Sequence, residues 1–195
     1  MPFAPPDLIG QLPPGITARP PAKRSTTAQP DAAMPRFEHR ARYSAPADLL
    51  FTLYANPDFQ ARKARALGAS RVRVDSGNDA SGPWIELEVH KSAPGAWAGL
   101  LDASTLHIRL DPSTRSATWT RTQHGFEDRS SASGRSRVIP LAANRCEVVL
   151  EGELTLEVPT LARMVEKLVL SAIAREHRRE VEFLRAELAR RTKAA

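Results

Sequence analysis

Residues 146–191 have the sequence CEVVLEGELTLEVPTLARMVEKLVLSAIAREHRREVEFLRAELARR, and this stretch decides the fold. From Cys146 onwards every second residue is apolar or small, and most of the residues between them are glutamate. Period-two alternation of this kind predicts a strand with one buried face. Pro159 has no N–H for a ladder of hydrogen bonds, so we expect the strand to end there. The remainder, up to about Arg191, contains no glycine or proline and predicts one long helix.

A strand and two short helices are predicted near the start of the folded part. Residues 36–43 alternate between inward and charged outward positions, which indicates a strand. Ser44-Ala45-Pro46 and Asn56-Pro57 each combine a capping side chain with a proline, the pattern with which many helices begin. Gly68 suits the left-handed position that follows a helix, so the second helix should end just before it.

Further strands are predicted between these helices and the long helix. The apolar alternation recurs around residues 72–74, 85–89, 106–110, 117–122 and 135–141. A turn is expected at Ser76–Asp79 and a polar loop at about Gln123–Gly134. The sequence therefore predicts an α+β fold. In it, a curved antiparallel sheet of about seven strands wraps around the long C-terminal helix, with two short helices between strands 1 and 2.

The composition is that of an ordinary globular chain with one domain. The chain has 195 residues, of which 42% are hydrophobic and 26% are charged. Residues 1–34 are rich in proline and small polar residues, so we expect a disordered tail there and a folded domain over residues 35–193. No apolar run reaches the roughly 18 residues that a membrane span needs, and no secretory signal is visible. We therefore expect no stable membrane insertion and a cytoplasmic location.

The net charge of +6 raises the question of a nucleic-acid partner. The basic residues are mostly arginines interleaved with acids, and no nucleic-acid-binding motif accompanies them. We expect a solvated basic surface and no nucleic-acid partner. An Arg- and Ala-rich composition is typical of a bacterial, GC-rich genome. No metal-ligand spacing, cofactor fingerprint or catalytic signature is present, so the sequence predicts no metal, no cofactor and no catalytic residue.

The order of the predicted elements resembles the START-like helix-grip superfamily (SRPBCC), which includes polyketide cyclases, lipid-transfer START domains and plant pollen allergens. Its characteristic opening is similar to Tyr43–Phe51 and Asn56–Phe59. Four segments resemble a narrower bacterial branch of domains of unknown function: Arg36–His39, Ala66–Ala69, Val158–Leu161 and Val165–Lys167. The resemblance covers about residues 35–185. It implies a helix-grip fold with an internal cavity and transfers no catalytic residue.

We expect the space between the sheet and the long helix to bind a small hydrophobic molecule, lipid-like or polycyclic. Small inward residues such as Ala117 and Gly152 should leave volume there. His39 or Arg121 could orient the ligand through a polar group. The predicted lining consists of Phe37, His39, Leu87, Ile108, Trp119, Arg121, Leu150, Gly152, Leu154, Met164 and Leu168.

A non-catalytic binding module is the reading that these observations favour, and two alternatives stay open. The first is a cyclase- or aromatase-type enzyme with His39 as its base, although no inward acid partner is evident. His177 and Glu180 lie one helical turn apart, but two potential ligands on a helix expected to be exposed do not make a metal site. The second is a protein-interaction module, or a homodimer, that uses the long helix. Its apolar stripe of Val181, Leu184 and Leu188 is expected to overhang the sheet.

Overall fold

The computed structural model describes residues 35–91, 103–127, 130–156 and 162–194. The elements follow in the order β1 (Arg36–Tyr43), α1 (Ala47–Tyr54), α2 (Pro57–Ala66), β2 (Ala69–Asp79), β3 (Gly82–Lys91), β4 (Ala103–Asp111), β5 (Ser116–Gln123), β6 (Ser130–Ala142), β7 (Arg145–Leu156) and α3 (Ala162–Ala194). The tail predicted for residues 1–34 lies outside the described residues.

The seven strands form one antiparallel sheet in the order β1-β7-β6-β5-β4-β3-β2. Consecutive strands from β2 to β7 are neighbours, and β1 joins the sheet beside β7. The helices α1 and α2 therefore connect the two edge strands, and the long helix α3 follows the last strand. The predicted α+β helix-grip fold, with two short helices between strands 1 and 2, is confirmed.

The two short helices begin differently. At α2, the side-chain oxygen of Asn56 accepts a hydrogen bond from the backbone N–H of Phe59 at 2.8 Å, as the predicted cap requires. Gly68 follows this helix with φ of +99°, which a residue without a Cβ adopts at little cost. At α1, Pro46 is the residue before the first helical one, and no side chain caps the helix. The cap predicted at Ser44 is therefore wrong.

Two connections are displaced from their predicted positions. The turn expected at Ser76–Asp79 is part of β2, and the chain reverses at Ala80–Ser81 instead. There Gly82 has φ of +101°, and Asp79 accepts a hydrogen bond from the backbone N–H of Ser81 at 2.7 Å. The polar loop expected up to Gly134 is shorter, because β6 already begins at Ser130. Polar residues can extend both strands because hydrogen bonds to a neighbouring strand satisfy their backbone N–H and C=O groups.

The second half of α3 is packed against the domain rather than overhanging it. Leu184 is fully buried and Leu188 is 7% exposed. Both belong to an apolar cluster with Leu50, Leu53 and Phe59 of the short helices. The predicted overhang is wrong, because α1 and α2 cover the stripe that the sequence left without a partner.

A second apolar cluster lies on β3, β4 and β5 and includes Ile85, Leu87 and Ile108. The first cluster is formed by α1, α2 and α3 together with β1, β6 and β7. Among the described helices, none has the length and apolar character required to cross a bilayer.

Candidate functional site

A cavity of about 220 Å³ lies on the inner side of the sheet, and members of both apolar clusters form its walls. Five strands contribute Leu87, Ile108, Ala117, Val138 and Val148. Phe51 of α1, Ala64 of α2 and Ile173 of α3 close it from the helical side. The helix-grip arrangement thus leaves a partly open, mainly apolar space between its two layers.

Six of the eleven residues predicted to line the cavity lie on its wall: Phe37, Leu87, Ile108, Trp119, Arg121 and Leu150. Three others lie elsewhere. His39 lies behind the wall, where it stacks on His177. Leu154 is buried, with 3% of its surface exposed, but does not line the cavity. Gly152 lies beneath two aromatic rings. The side chains of Met164 and Leu168 lie outside the described residues. Whether any of these residues binds a ligand stays a prediction.

The volume expected above Gly152 is filled by the chain itself. Phe37, Gly152, Gly134 and Trp119 lie side by side on four neighbouring strands. The rings of Phe37 and Trp119 lean over the two glycines, with their centroids 6.2 Å apart. A Cβ added at Gly152 would lie 2.5 Å from Cζ of Phe37 and 2.8 Å from Cζ2 of Trp119. The two glycines therefore give the cavity an aromatic floor.

The aromatic floor continues as a row of four rings, which we call the ring row: Trp119, Phe37, His39 and His177. The centroid of Phe37 lies 5.7 Å from that of His39, and His39 stacks on His177 at 4.8 Å with an angle of 14° between the planes. Trp119, Phe37 and His177 face the cavity. Neither ring nitrogen of His177 has a hydrogen-bond partner among the described residues, and the same holds for Nε1 of Trp119.

Burial lowers the pKa of His177 below the ordinary value for histidine, and the nearby His39 and Lys63 lower it further. Glu180 acts in the opposite direction without reversing the shift. The pKa of His39 is lowered by burial as well. Both imidazoles are therefore held in the neutral form near pH 7, in which each ring offers one donor and one acceptor.

A buried ion pair joins α2 to α3 at the cavity wall. Nζ of Lys63 donates to Oε1 of Glu180 at 2.9 Å, and their side chains are only 13% and 18% exposed. The ammonium also lies 5.2 Å from the ring centre of Tyr54, which is a cation–π contact. Burial raises the pKa of the Tyr54 phenol, and the charge of Glu180 raises it further. Tyr54 is thus kept protonated beside the ion pair.

A second group of charges lies on the wall near the ends of β3 and β5. Glu176 accepts a hydrogen bond from Lys91 at 2.7 Å, and the guanidinium of Arg121 lies 3.7 Å from the same carboxylate. Burial alone would raise the pKa of Glu176, but Arg121 and Lys91 bring it below its ordinary value. Arg121 also donates to the hydroxyl of Ser104 at 3.2 Å. The guanidinium of Arg121 therefore already has polar partners within the chain.

Sequence reasoning missed most polar residues of the wall. Glu176, His177 and Glu180 all face the cavity, although we expected that part of α3 to be exposed. Their spacing of one and three residues, together with Ile173 three before Glu176, places them on one face of the helix. Polar residues within an otherwise apolar stripe were the available signal. Lys63 and Tyr54 gave no such signal, because they belong to short helices whose packing the sequence does not define.

Comparison with known proteins agrees with this architecture. A family model described as "Protein of unknown function (DUF2505)" matches residues 38–188. No curated protein matches the chain. Among the described residues, no group of three or more His, Cys, Asp or Glu side chains is arranged to hold a metal ion.

Several solved structures share the fold at low sequence identity. The Zhui aromatase/cyclase from Streptomyces sp. R1128 is 19% identical with a TM-score of 0.63, covering 82% of this chain and 96% of that one. Norcoclaurine synthase from Thalictrum flavum, in complex with dopamine and hydroxybenzaldehyde, is 16% identical with a TM-score of 0.60, covering 91% and 98%. A START superfamily protein from Mycobacterium smegmatis is 12% identical with a TM-score of 0.56, covering 78% and 98%.

Proposed function

The chain belongs to the DUF2505 family of proteins of unknown function, and we propose that it is a non-catalytic binding module for a small hydrophobic molecule. The proposal rests on the partly open cavity of about 220 Å³ between the sheet and the helices. Because protein interiors are normally close-packed, an unfilled space of this size supports a role in binding another molecule. Its apolar wall with a few polar groups is the usual character of a ligand site.

The structural neighbours support the same class of function. This chain shares its fold with an aromatase/cyclase and with a synthase that was solved together with two small aromatic molecules. At under 20% identity the residues that handle those molecules do not transfer. The proposal for this chain therefore rests on its own cavity, with a ligand of lipid-like or polycyclic character as the starting expectation. The cytoplasmic location expected from the sequence stays a prediction.

Titration with the uncharged environment-sensitive dye 6-propionyl-2-(dimethylamino)naphthalene tests the proposal. Ser136 faces the cavity from β6, and Ser136→Phe places a large ring in the space. Ser133 has the opposite parity on the same strand, so Ser133→Phe is the matched control. We expect the parent and the control to bind the dye, and Ser136→Phe to bind about tenfold more weakly. Equal binding by Ser136→Phe and the parent, or no binding by the parent, would contradict the proposal.

An enzyme that moves protons on a bound ligand is the second candidate. The observation that favours it is His177, a neutral imidazole on the cavity wall close to the charge of Glu180. Its buried nitrogens have no hydrogen-bond partner among the described residues, so a change of rotamer would be needed to bring one of them to a ligand. His39, the base suggested by the sequence, lies behind His177 in the ring row. The test is exchange of the methyl protons of acetophenone with deuterium from D₂O, followed by NMR. Exchange that the parent accelerates and His177→Phe does not would support an enzyme.

The third possibility is interaction through the long helix, and it was based on an exposed apolar stripe. The apolar stripe that was to form the interface or a homodimer is buried within the chain, with Leu184 fully buried and Leu188 nearly so.

A further inference from the structure

The charges on the described wall of the cavity do not balance. The wall carries four cationic side chains and two carboxylates: Lys63, Lys91, Arg115, Arg121, Glu176 and Glu180. Lys63 is paired with Glu180 at 2.9 Å. Arg115 is paired with Asp48, which does not line the cavity. The other two cations of the wall therefore share one carboxylate.

These three residues, Lys91, Arg121 and Glu176, are called the cationic cluster here, because together they carry one positive charge in excess. β3 and β5 are both antiparallel to β4, so they run in the same direction and end at the same side of the sheet. On the inner face of each strand the cation follows an apolar wall residue, Leu87 on β3 and Trp119 on β5. A ligand in the cavity therefore meets apolar side chains along most of the sheet and positive charge at one end.

Most of the hydrogen-bonding capacity of Arg121 is unused within the described part of the chain. Nε of Arg121 donates to the hydroxyl of Ser104 at 3.2 Å. Its Nη1 lies 3.7 Å from the carboxylate of Glu176, which is longer than a hydrogen bond. The close partner of Glu176 is instead Lys91, at 2.7 Å. A guanidinium has five N–H groups in a planar fork, so both of its Nη atoms are left with donors for a further acceptor.

The cationic cluster is also more exposed than the other ion pair of the wall. The side chains of Lys91 and Arg121 are 24% and 34% exposed, and that of Glu176 is 35% exposed. For Lys63 and Glu180 the exposed fractions are only 13% and 18%. Because Lys91 and Arg121 both line the cavity and are reached by solvent, a ligand can contact their charged ends without displacing a buried group.

The acceptor that fits this cluster best is a carboxylate. Its two oxygens match the planar fork of a guanidinium, and hydrogen bonds between ionised groups are the stronger ones. A single negative charge equals the excess on the cluster. A phosphate monoester carries a charge of roughly −1.5 to −2 at neutral pH, which exceeds that excess and would be repelled by Glu176.

Resting on the proposed binding function, we propose that the ligand is an amphipathic monocarboxylate. Its apolar body occupies the space between the sheet and the helices, and its carboxylate is bound at the charged end by Arg121, with Lys91 beside it. Glu176 holds Lys91 and limits the positive charge, so it opposes the binding of an anion. The lipid-like or polycyclic ligand expected from the sequence thereby gains an acid group as its defining feature.

The experiment compares carboxylic acids with their primary amides, which have nearly the same shape and no charge. The pair 2-naphthoic acid and 2-naphthamide represents a polycyclic body, and octanoic acid and octanamide represent an aliphatic one. Each compound displaces the uncharged dye from the full chain at pH 7.5, with calorimetry as a second method. In at least one pair we expect the acid to bind about tenfold more tightly than its amide, since charge-assisted hydrogen bonds at a partly exposed site contribute about this much.

Arg121→Met tests the anchor by removing the guanidinium while keeping an apolar stem. The acid and the amide should then bind within about twofold of each other, and the affinity for the amide and the dye should change little. Arg73→Met is the matched control, because it removes the same charge from an exposed position on the outer face of β2. It should keep the tenfold preference.

Glu176→Gln tests the charge count in the opposite direction. The amide of glutamine keeps the size of the side chain and an acceptor for Lys91, but both cations are then free to bind the acid. We expect the preference for the acid to rise by about threefold over the parent. If Glu176 served only to hold the two cations in place, the preference would fall instead, and the role assigned to Glu176 would be wrong.

The outcomes separate this inference from the proposed function. If the dye binds but neither acid is preferred over its amide, or 2-naphthyl phosphate binds more tightly than 2-naphthoic acid, the ligand class is wrong while the binding function stands. A tenfold preference that survives in Arg121→Met overturns the anchor. If neither the dye nor any of the acids and amides binds the parent, the binding function itself fails.

Discussion

At the scale of single residues, two glycines determine the shape of the cavity floor. Gly152 and Gly134 pair with each other on adjacent strands, and the rings of Phe37 and Trp119 occupy the space that their side chains would fill. A glycine in a strand normally weakens it, and here the close approach of aromatic rings gives the reason for it. Position 152 is therefore a packing site, and filling it does not fill the cavity.

We expect Gly152→Ala to destabilise the protein by about 1–3 kcal/mol, because the added Cβ overlaps the ring of Phe37. Phe37→Leu, which shortens the overlapping side chain, should be less harmful in the Gly152→Ala background than alone. Urea denaturation of the two single variants and the double variant measures this coupling. Additive effects would show that the ring of Phe37 moves away freely.

Stability should decrease as the pH falls from about 7.5 to about 5.5. The pKa values of His39 and His177 are lowered in the folded protein, while both histidines titrate near 6.5 when the chain is unfolded. The unfolded chain therefore takes up more protons in this range, which favours unfolding. Around the pair, Lys63 adds to the effect and Glu180 opposes it.

Urea denaturation at several pH values measures this dependence. Replacing both histidines with phenylalanine should flatten it, since the rings remain and the titrating nitrogens do not. An equal pH dependence in the parent and the double variant would show that the pair is not its source.

At the scale of elements, the long helix α3 contributes both to the cavity wall and to the hydrophobic core. Its middle carries the polar wall residues Glu176, His177 and Glu180, and its C-terminal part belongs to the core through Leu184 and Leu188. One helix thus lines the cavity near its middle and packs into the core towards its C-terminus. The anchor is made with α1 and α2, which is why the short helices matter for the position of the site.

Leu184→Ala should destabilise the protein by about 2–5 kcal/mol, because this side chain is completely buried among the helices. Leu141→Ala is the matched control, since Leu141 is 49% exposed and should change stability by less than about 0.5 kcal/mol. Thermal and urea unfolding of both variants measure the contrast. A Leu184→Ala protein as stable as the control would restore the overhanging helix expected from the sequence.

The Lys63–Glu180 pair should behave as a unit. Glu180→Leu alone leaves a mostly buried ammonium without its carboxylate and should cost about 3 kcal/mol or more. Adding Lys63→Met should recover most of that loss, because the unpaired charge is then removed. A double-mutant cycle measures the recovery. If the double variant is no more stable than Glu180→Leu, the pair is not a coupled structural contact.

At the scale of the whole molecule, the fold separates an apolar inner side from a charged periphery. The two edge strands β1 and β2 carry alternating charges, with Arg40 and Arg42 on one and Arg71 and Arg73 on the other. Charged edge strands oppose pairing with another sheet. Together with the buried stripe of α3, this removes two common routes to self-association.

We accordingly expect the protein to have the mass of a single chain in solution over a wide range of concentrations. Sedimentation equilibrium is the measurement. A mass that rises to that of two chains would show an interface elsewhere on the surface, and its effect on dye binding would then show whether the cavity needs the second copy.

Local patterns in the sequence determined the elements and their order. Period-two alternation marked the strands, the Asn56 cap and Gly68 marked the limits of α2, and a long run without glycine or proline marked α3. These signals act between residues a few positions apart, so they are visible without the fold. Together with the resemblance to the helix-grip superfamily, they were enough to predict the fold.

Only the tertiary structure decided what surrounds the cavity. Lys63 and Glu180 are 117 positions apart in the chain, and Phe37 and Trp119 meet over a glycine that the sequence suggested was empty space. Alternation states which face a residue occupies but not which side chains fill the space above it. That depends on how α1 and α2 close over the sheet, through contacts between distant segments. Such contacts bury both nitrogens of His177 and leave them without a hydrogen-bond partner among the described residues.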